Sequence, residues 1–380
     1  MDLTASGVRT TSVTKQARTG LLPANVVLGG SLLSLVGLTW DIQWHDDVGP
    51  DTFFTLPHLF LYAGSAVVGL ASLAVVLLTT AARRAGRPAD PRIGGRVVNV
   101  FGRTFAAPLG YLVSGVGAAT FLLYGLWDQW WHGLYGFDAV IDSPPHIGLL
   151  LSITVSLIGT TAVFAAAREH RWGRLGTLAS LTVLLTFGPV LALGLQQVPD
   201  DYADAVAIGT SMMAVLLVAV GAGFARRPGG AVGTAALVAA VQAVFWWFSP
   251  WAARAYADLV GLPMRDAISG VPAMPSLTPL ALLPVAALME LVYFAGRRRG
   301  WRAGRVSVVA GGLAGLLLGL SLPIQQALLY TGAHVPPAWY LATTAGLSAA
   351  LGLLGGFAGW RFGGMLCLLA PAKKGETADA

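Results

Sequence analysis

Four of the six histidines in this 380-residue chain fall in two similar stretches. The first reads W-D-I-Q-W-H-D-D-V-G-P-D-T-F-F-T-L-P-H, from Trp40 to His58. The second reads W-D-Q-W-W-H-G-L-Y-G-F-D-A-V-I-D-S-P-P-H, from Trp127 to His146. Setting Asp41 on Asp128 also sets Trp40 on Trp127, Trp44 on Trp131, His45 on His132, Gly49 on Gly136 and Asp51 on Asp138. After one extra residue in the second stretch, Pro57-His58 meets Pro145-His146. Asp41 and His45 are four residues apart and share a helix face, as do Asp128 and His132. The next helix opens at a proline, a favoured first-turn residue, and carries His58 or His146 at its start. In an antiparallel helical hairpin, one carboxylate and two imidazoles then converge at one depth. Such a set leaves positions open for water or substrate, and suits copper, non-haem iron or zinc. A lone Asp or His at a membrane helix end is ordinarily a solvated or hydrogen-bonded end residue. Repetition of the whole set is what argues for ligands. The tryptophans read as an interfacial belt, and Asp47, Asp51, Asp138 and Asp142 as solvated loop charges.

The elements that must position these residues follow from composition. Hydrophobic residues make up 55% of the chain and charged residues 11%, against an ordinary ~25%. The mean hydropathy is +0.68. So little charge cannot coat a water-soluble body of this length. The chain reads as all-α, a polytopic transmembrane helical bundle with a duplicated metal-binding hairpin at its outer face. Apolar runs of ~20 residues place ten spans near 22–44, 57–81, 105–131, 145–167, 174–196, 203–225, 230–250, 275–296, 305–330 and 338–361. Pro250 and Pro323 are expected to interrupt the seventh and ninth. With both termini cytoplasmic, 22 of the 24 basic residues fall on the inner side, and only Arg254 and Arg265 fall outside. That asymmetry fixes the sidedness and the span count together. It also explains the net charge of +6 without nucleic acid. Acidic residues collect on the opposite, outer face, which suits cations.

The domain reading is a cytoplasmic N-terminal tail (1–21), a metal-binding half of four spans (22–168), a C-terminal membrane half of six spans (174–361) and a disordered tail (371–380). The polar N-terminus predicts no cleaved signal peptide. The loop near 251–274 is expected to cap the outer face. Gly311, Gly315 and Gly319 fit close helix packing. The single cysteine, Cys367, excludes a disulfide framework and a thiolate cluster.

The pattern Asp-x3-His-x12-His (Asp41, His45, His58) resembles a metal site in the C subunit of copper membrane monooxygenases. That family includes the particulate methane, ammonia and related hydrocarbon monooxygenases. The second set, Asp128, His132 and His146, is similar to that family's Asn-x3-His-x13-His site, with Asp in place of Asn. The resemblance covers roughly residues 35–165. It implies two copper sites within the membrane, oxygen-dependent hydroxylation of a small apolar or ammonia-like substrate, and further monooxygenase-type subunits as partners. The family's C subunit is shorter and has fewer spans, so the last six spans here are outside the resemblance. Asp128 adds a negative charge where the family has Asn.

Other polar residues carry weaker signals. Glu290 lies inside the eighth span, where a carboxylate is a functional candidate by default; a structural hydrogen bond is the expected role. Gln325 and Gln326 read as a packed helix end and His170 as solvated. His334 lies in a following loop. No phosphate loop, serine-nucleophile elbow or haem-attachment motif is present in the sequence. The leading functional expectation is a copper-binding component of a monooxygenase in the plasma or inner membrane, with the motifs toward the extracytoplasmic side. The alternatives are a copper or divalent-metal transport or acquisition protein, and a non-catalytic bundle whose last spans bind a partner. The bilayer and a second copy of the chain complete the expected partners.

Overall fold

The structure, a computed structural model, describes residues 20–135 and 141–371. It is almost wholly helical. In chain order the helices are α1 (Leu21–Asp47), α2 (Leu56–Arg84), α3 (Leu109–Tyr135), α4 (Pro144–Ala165), α5 (Arg171–Ala192), α6 (Ala205–Ala225), α7 (Gly230–Val260), the single turn α8 (Ala273–Ser276), α9 (Leu282–Arg298), α10 (Ala303–Leu329) and α11 (Ala338–Cys367). Among the described residues, nine helices are long and apolar enough to cross a membrane: α1 to α7, α10 and α11.

Three features depart from the sequence reading. Between α2 and α3, Val97–Val100 (β1) and Phe105–Pro108 (β2) pair as a small antiparallel hairpin, so the third span begins at Leu109 rather than at 105. Pro250 and Pro323 lie inside continuous helices. A proline removes one N–H and crowds one carbonyl, yet these helices continue past it to Val260 and Leu329. The hydroxyls of Thr39 on α1 and Ser249 on α7 meet at 2.9 Å beside Pro250. The real interruption is in the expected eighth span. There α8 ends at Ser276, residues 277–281 are irregular, and α9 has 17 residues, about 25 Å of rise against a core of about 30 Å. Pro279 favours the break, because it cannot donate and disfavours the helical conformation at Thr278.

Irregular backbone at membrane depth is tolerated only where protein satisfies it. Here glutamines from three helices do so. Gln325 Oε1 accepts from Leu280 N at 2.8 Å, and its Nε2 donates to the carbonyls of Ser276 and Thr278 at 2.7 and 3.0 Å. Gln326 Nε2 also donates to Ser276 O at 2.9 Å. Gln43 on α1 accepts from Ala273 N at 2.9 Å, and Gln242 on α7 donates to the Thr278 hydroxyl at 2.6 Å.

The helices pair as α1–α2 and α3–α4 hairpins in the first half. In the second half α6, α10 and α11 pack closely. Gly311 and Gly315 sit so near α11 that an added Cβ would lie 2.3 Å from Gly352 O and 2.2 Å from Ser348 O. Gly319 meets the Ser348 side chain in the same way, so the glycine row is a packing seam. Glu290 on α9 accepts from Gly229 N and Ala231 N at 3.0 and 2.9 Å. It thus caps the N-terminus of α7, the structural role expected for it. Cys367 is buried, and its thiol points at Phe224 O, 3.6 Å away.

Candidate metal centre

The first cluster is built by the local geometry of the α1–α2 connection. The peptide N–H groups of Val48 and Gly49 both donate to Trp44 O, at 2.9 and 3.0 Å, ending α1. Gly49 turns the chain with φ +102°, in the region where a side chain is strained. The Trp44 indole donates to Pro50 O at 2.9 Å and pins the next residue. The result swings Asp51 inward, with none of its side chain exposed. Thr55 Oγ1 then accepts from Thr52 N at 2.7 Å, and α2 opens at Leu56-Pro57, placing His58 on its first turn.

Four side chains meet there. His58 Nε2 lies 3.0 Å from Asp41 Oδ1 and 3.3 Å from Asp51 Oδ2. His45 Nε2 lies 3.0 Å from Asp51 Oδ2 and 3.9 Å from Asp41 Oδ1. The His58 ring has a defined orientation: its Nδ1 is 2.9 Å from Thr52 O. A carbonyl can only accept, so Nδ1 carries the hydrogen, and a neutral ring would then present the lone pair of Nε2 to two carboxylates. Lone pairs facing lone pairs need a cation or a second ring proton between them.

In the second cluster, Asp128 Oδ1 lies 3.4 Å from both His132 Nε2 and His146 Nε2. His146 Nδ1 is 3.0 Å from the hydroxyl of Ser143, the residue before α4. Asp128 is 8% exposed. Both sets anticipated from the sequence are therefore brought together in full. Asp138 lies outside the described residues.

The donor sets fit a metal ion. In each cluster one ligand atom per residue lies within 4.8 Å of every other. Tetrahedral coordination with bonds of ~2.0–2.2 Å separates ligand atoms by about 3.3 Å, close to the shorter contacts seen. Oδ1 of Asp41, Oδ2 of Asp51 and Oδ1 of Asp128 are buried and face imidazole nitrogens at 3.0–3.4 Å, and Asp51 Oδ1 is buried without a hydrogen bond, an arrangement that a cation would satisfy. Imidazole and carboxylate without sulfur suit copper(II), zinc, iron or nickel.

The two clusters open on one chamber of about 270 Å³, whose floor is apolar, with Leu38, Ile42, Leu61, Phe121, Leu149 and Ile153. Several residues here escaped the sequence reading. Asp51 is a member of the cluster rather than a solvated charge. Asp47, also taken as solvated, is 3% exposed and accepts from Gln43 Nε2 at 2.9 Å. Trp40 and Trp44 are buried, packed with Tyr256 of α7 at 5.7 and 4.8 Å, rather than forming a belt. Tyr62 and Gln129 also line the chamber. Gln325 and Gln326 hold the break, as described above. His334 lines a separate exposed cleft with Asp200, Asp201 and Asp204. There burial pushes the Asp204 carboxyl above the ordinary carboxylate range. The expected loop over 251–274 is shorter, because α7 runs to Val260; the segment after it meets the α1–α2 turn, where Arg265 N donates to Asp47 O at 2.8 Å and the guanidinium lies against Gly49.

Comparison with protein-family models, with curated proteins and with solved structures found no match.

Proposed function

We propose that this protein is a membrane copper protein of the kind that the C subunit of copper membrane monooxygenases exemplifies, with its metal clusters toward the extracytoplasmic side. The observation that carries the metal reading is the His58 ring, held by Thr52 O so that Nε2 faces Asp41 and Asp51. Copper is favoured over other ions by the matching spacing of both motifs. Asp41, His45, Asp51 and His58 would hold one ion, and Asp128, His132 and His146 another. Copper there supplies one-electron chemistry toward dioxygen. The chain's residues orient the ligands, and the apolar floor admits a small uncharged substrate from the bilayer. The reaction class is hydroxylation, with further subunits supplying electrons.

The transport reading has less support. A path needs ligands at several depths, and among the described residues both ligand groups line one chamber. Glu290, the other intramembrane carboxylate, is engaged as a helix cap.

The test is metal analysis and EPR of the purified protein. Bound copper with a type-2 Cu(II) signal is expected, and the His45→Ala, His132→Ala double variant should lose both. A metal-free wild-type protein, or copper unchanged in the double variant, would sink the assignment. Metal uptake into proteoliposomes would favour transport instead.

A further inference from the structure

Tyr62 lies one helical turn after His58, on the same face of α2. Its ring is stacked on Phe53, with centroids 4.8 Å apart at 27°, and leans on Phe121 of α3 at 6.2 Å. It also passes over Gly125, where an added Cβ would lie 3.7 Å from the ring. Gly125 is about one turn before Asp128. The ring therefore starts beside the first cluster, with its centroid 6.1 Å from that of His58, and reaches α3, the helix that carries Asp128. Its hydroxyl stands in the field of Asp128, Asp41 and Asp51 together. Among the described residues lining the chamber, Tyr62 carries the one hydroxyl. The position that corresponds to it on α4 is Leu150, which lines the same chamber. The phenol is thus a one-sided feature in an otherwise repeated pattern.

A tyrosine in a core is usually satisfied by a protein acceptor or by bulk water. This one faces a chamber shared by two sets of metal-type ligands. A phenol with an ordinary pKa of ~10 is a donor at neutral pH. One oxygen of each surrounding carboxylate faces histidine nitrogens: Oδ1 of Asp41, Oδ2 of Asp51 and Oδ1 of Asp128. What remains for the hydroxyl is a guest in the chamber.

We propose that the chamber binds a small exogenous ligand with a lone-pair-bearing terminal atom, such as a triatomic anion or a diatomic gas, and that Tyr62 holds it by donating a hydrogen bond between the two clusters. Tyr62 is a positioning residue in this assignment, not a metal ligand. The inference rests on the metal reading above.

The probe is azide, added to the purified full-length protein loaded with Cu(II), with binding read from the azide-to-copper absorption band and the EPR spectrum. Tyr62→Phe keeps the ring and its stacking. Its copper content and thermal midpoint should equal those of the wild type, while azide binds about tenfold more weakly, the loss expected for one hydrogen bond to a charged ligand. Leu150→Ala, a change on the other wall of the chamber, should leave azide affinity within about twofold. Equal azide affinity in wild type and Tyr62→Phe, with copper intact, overturns the proposal. So does loss of copper from Tyr62→Phe, which would make the residue a structural support of the site. A wild-type protein that takes up no metal fails earlier, and removes the metal reading together with this one.

Discussion

The carboxylate of Asp51 has no exposed surface and lies between the Nε2 atoms of His45 and His58, at 3.0 and 3.3 Å. Its neutral replacement separates charge from shape. Asp51→Asn keeps one acceptor oxygen and loses the negative charge. The first cluster should then release its ion at least about tenfold more readily, the scale seen when groups supporting a metal site are changed, while the second cluster keeps its own. Competition with a chelator would read this as a stoichiometry falling from two ions toward one; an unchanged stoichiometry and affinity would return Asp51 to a loop charge. Residues at helical spacing were legible in the sequence: Asp41, His45 and His58 needed only the i, i+4 rule and a hairpin. Asp51 was not, because it enters through a turn. That turn depends on Gly49 in a left-handed conformation, an indole bond to Pro50 and a guanidinium from a loop more than 200 residues away. The available signal was positional: an Asp stands at the matching place, Asp138, in the second stretch.

The two hairpins share more than their ligands. Gly37 packs against Phe60 in the first, and a Cβ added there would lie 3.0 Å from Phe60 Cβ. The corresponding pair in the second is Tyr124 and Gly148, with the large and small partners exchanged, and a Cβ on Gly148 would strike the Tyr124 ring. One close approach is thus filled from opposite sides in the two hairpins. The break between α8 and α9 was hidden from hydropathy, because residues 275–296 are as apolar as a true span. Proline alone misled: Pro250 and Pro323 continue their helices, while Pro279 ends one. What distinguishes Pro279 is the ring of glutamines around it, and that ring is visible only in three dimensions. Gln325→Ala strands Leu280 N–H and Thr278 O, groups that cost about 1–3 kcal/mol each when buried without a partner. A loss of about 2–4 kcal/mol is expected from denaturant unfolding in detergent, with copper content preserved; full stability would mean that the break is held by other contacts.

At the scale of the whole molecule, composition already pointed to a helical membrane bundle, and the nine apolar helices among the described residues agree with it. Sidedness is a separate matter that rests on the basic residues, and it can be read directly. In a Cys367→Ser background, Asp201→Cys should react with an impermeant maleimide in intact cells, and Arg299→Cys only after permeabilisation. The opposite pattern would invert the topology. Cys367 is buried, and serine keeps a donor toward Phe224 O in its place. The glutamine joint around 277–281 has a bearing on how the protein lives in an energised membrane. A unit charge moved across a membrane feels about 2.3 kcal/mol per 100 mV. Gln43, Gln242, Gln325 and Gln326 carry none, so the glutamines of this joint add no gating charge, and its contact with a titratable group is through the Asp47 carboxylate that accepts from Gln43 Nε2 at 2.9 Å. Whatever membrane energisation does to this protein, it must act on ionisable residues such as Asp47 beside the clasp and the aspartates of the two clusters, not on the glutamines of the clasp.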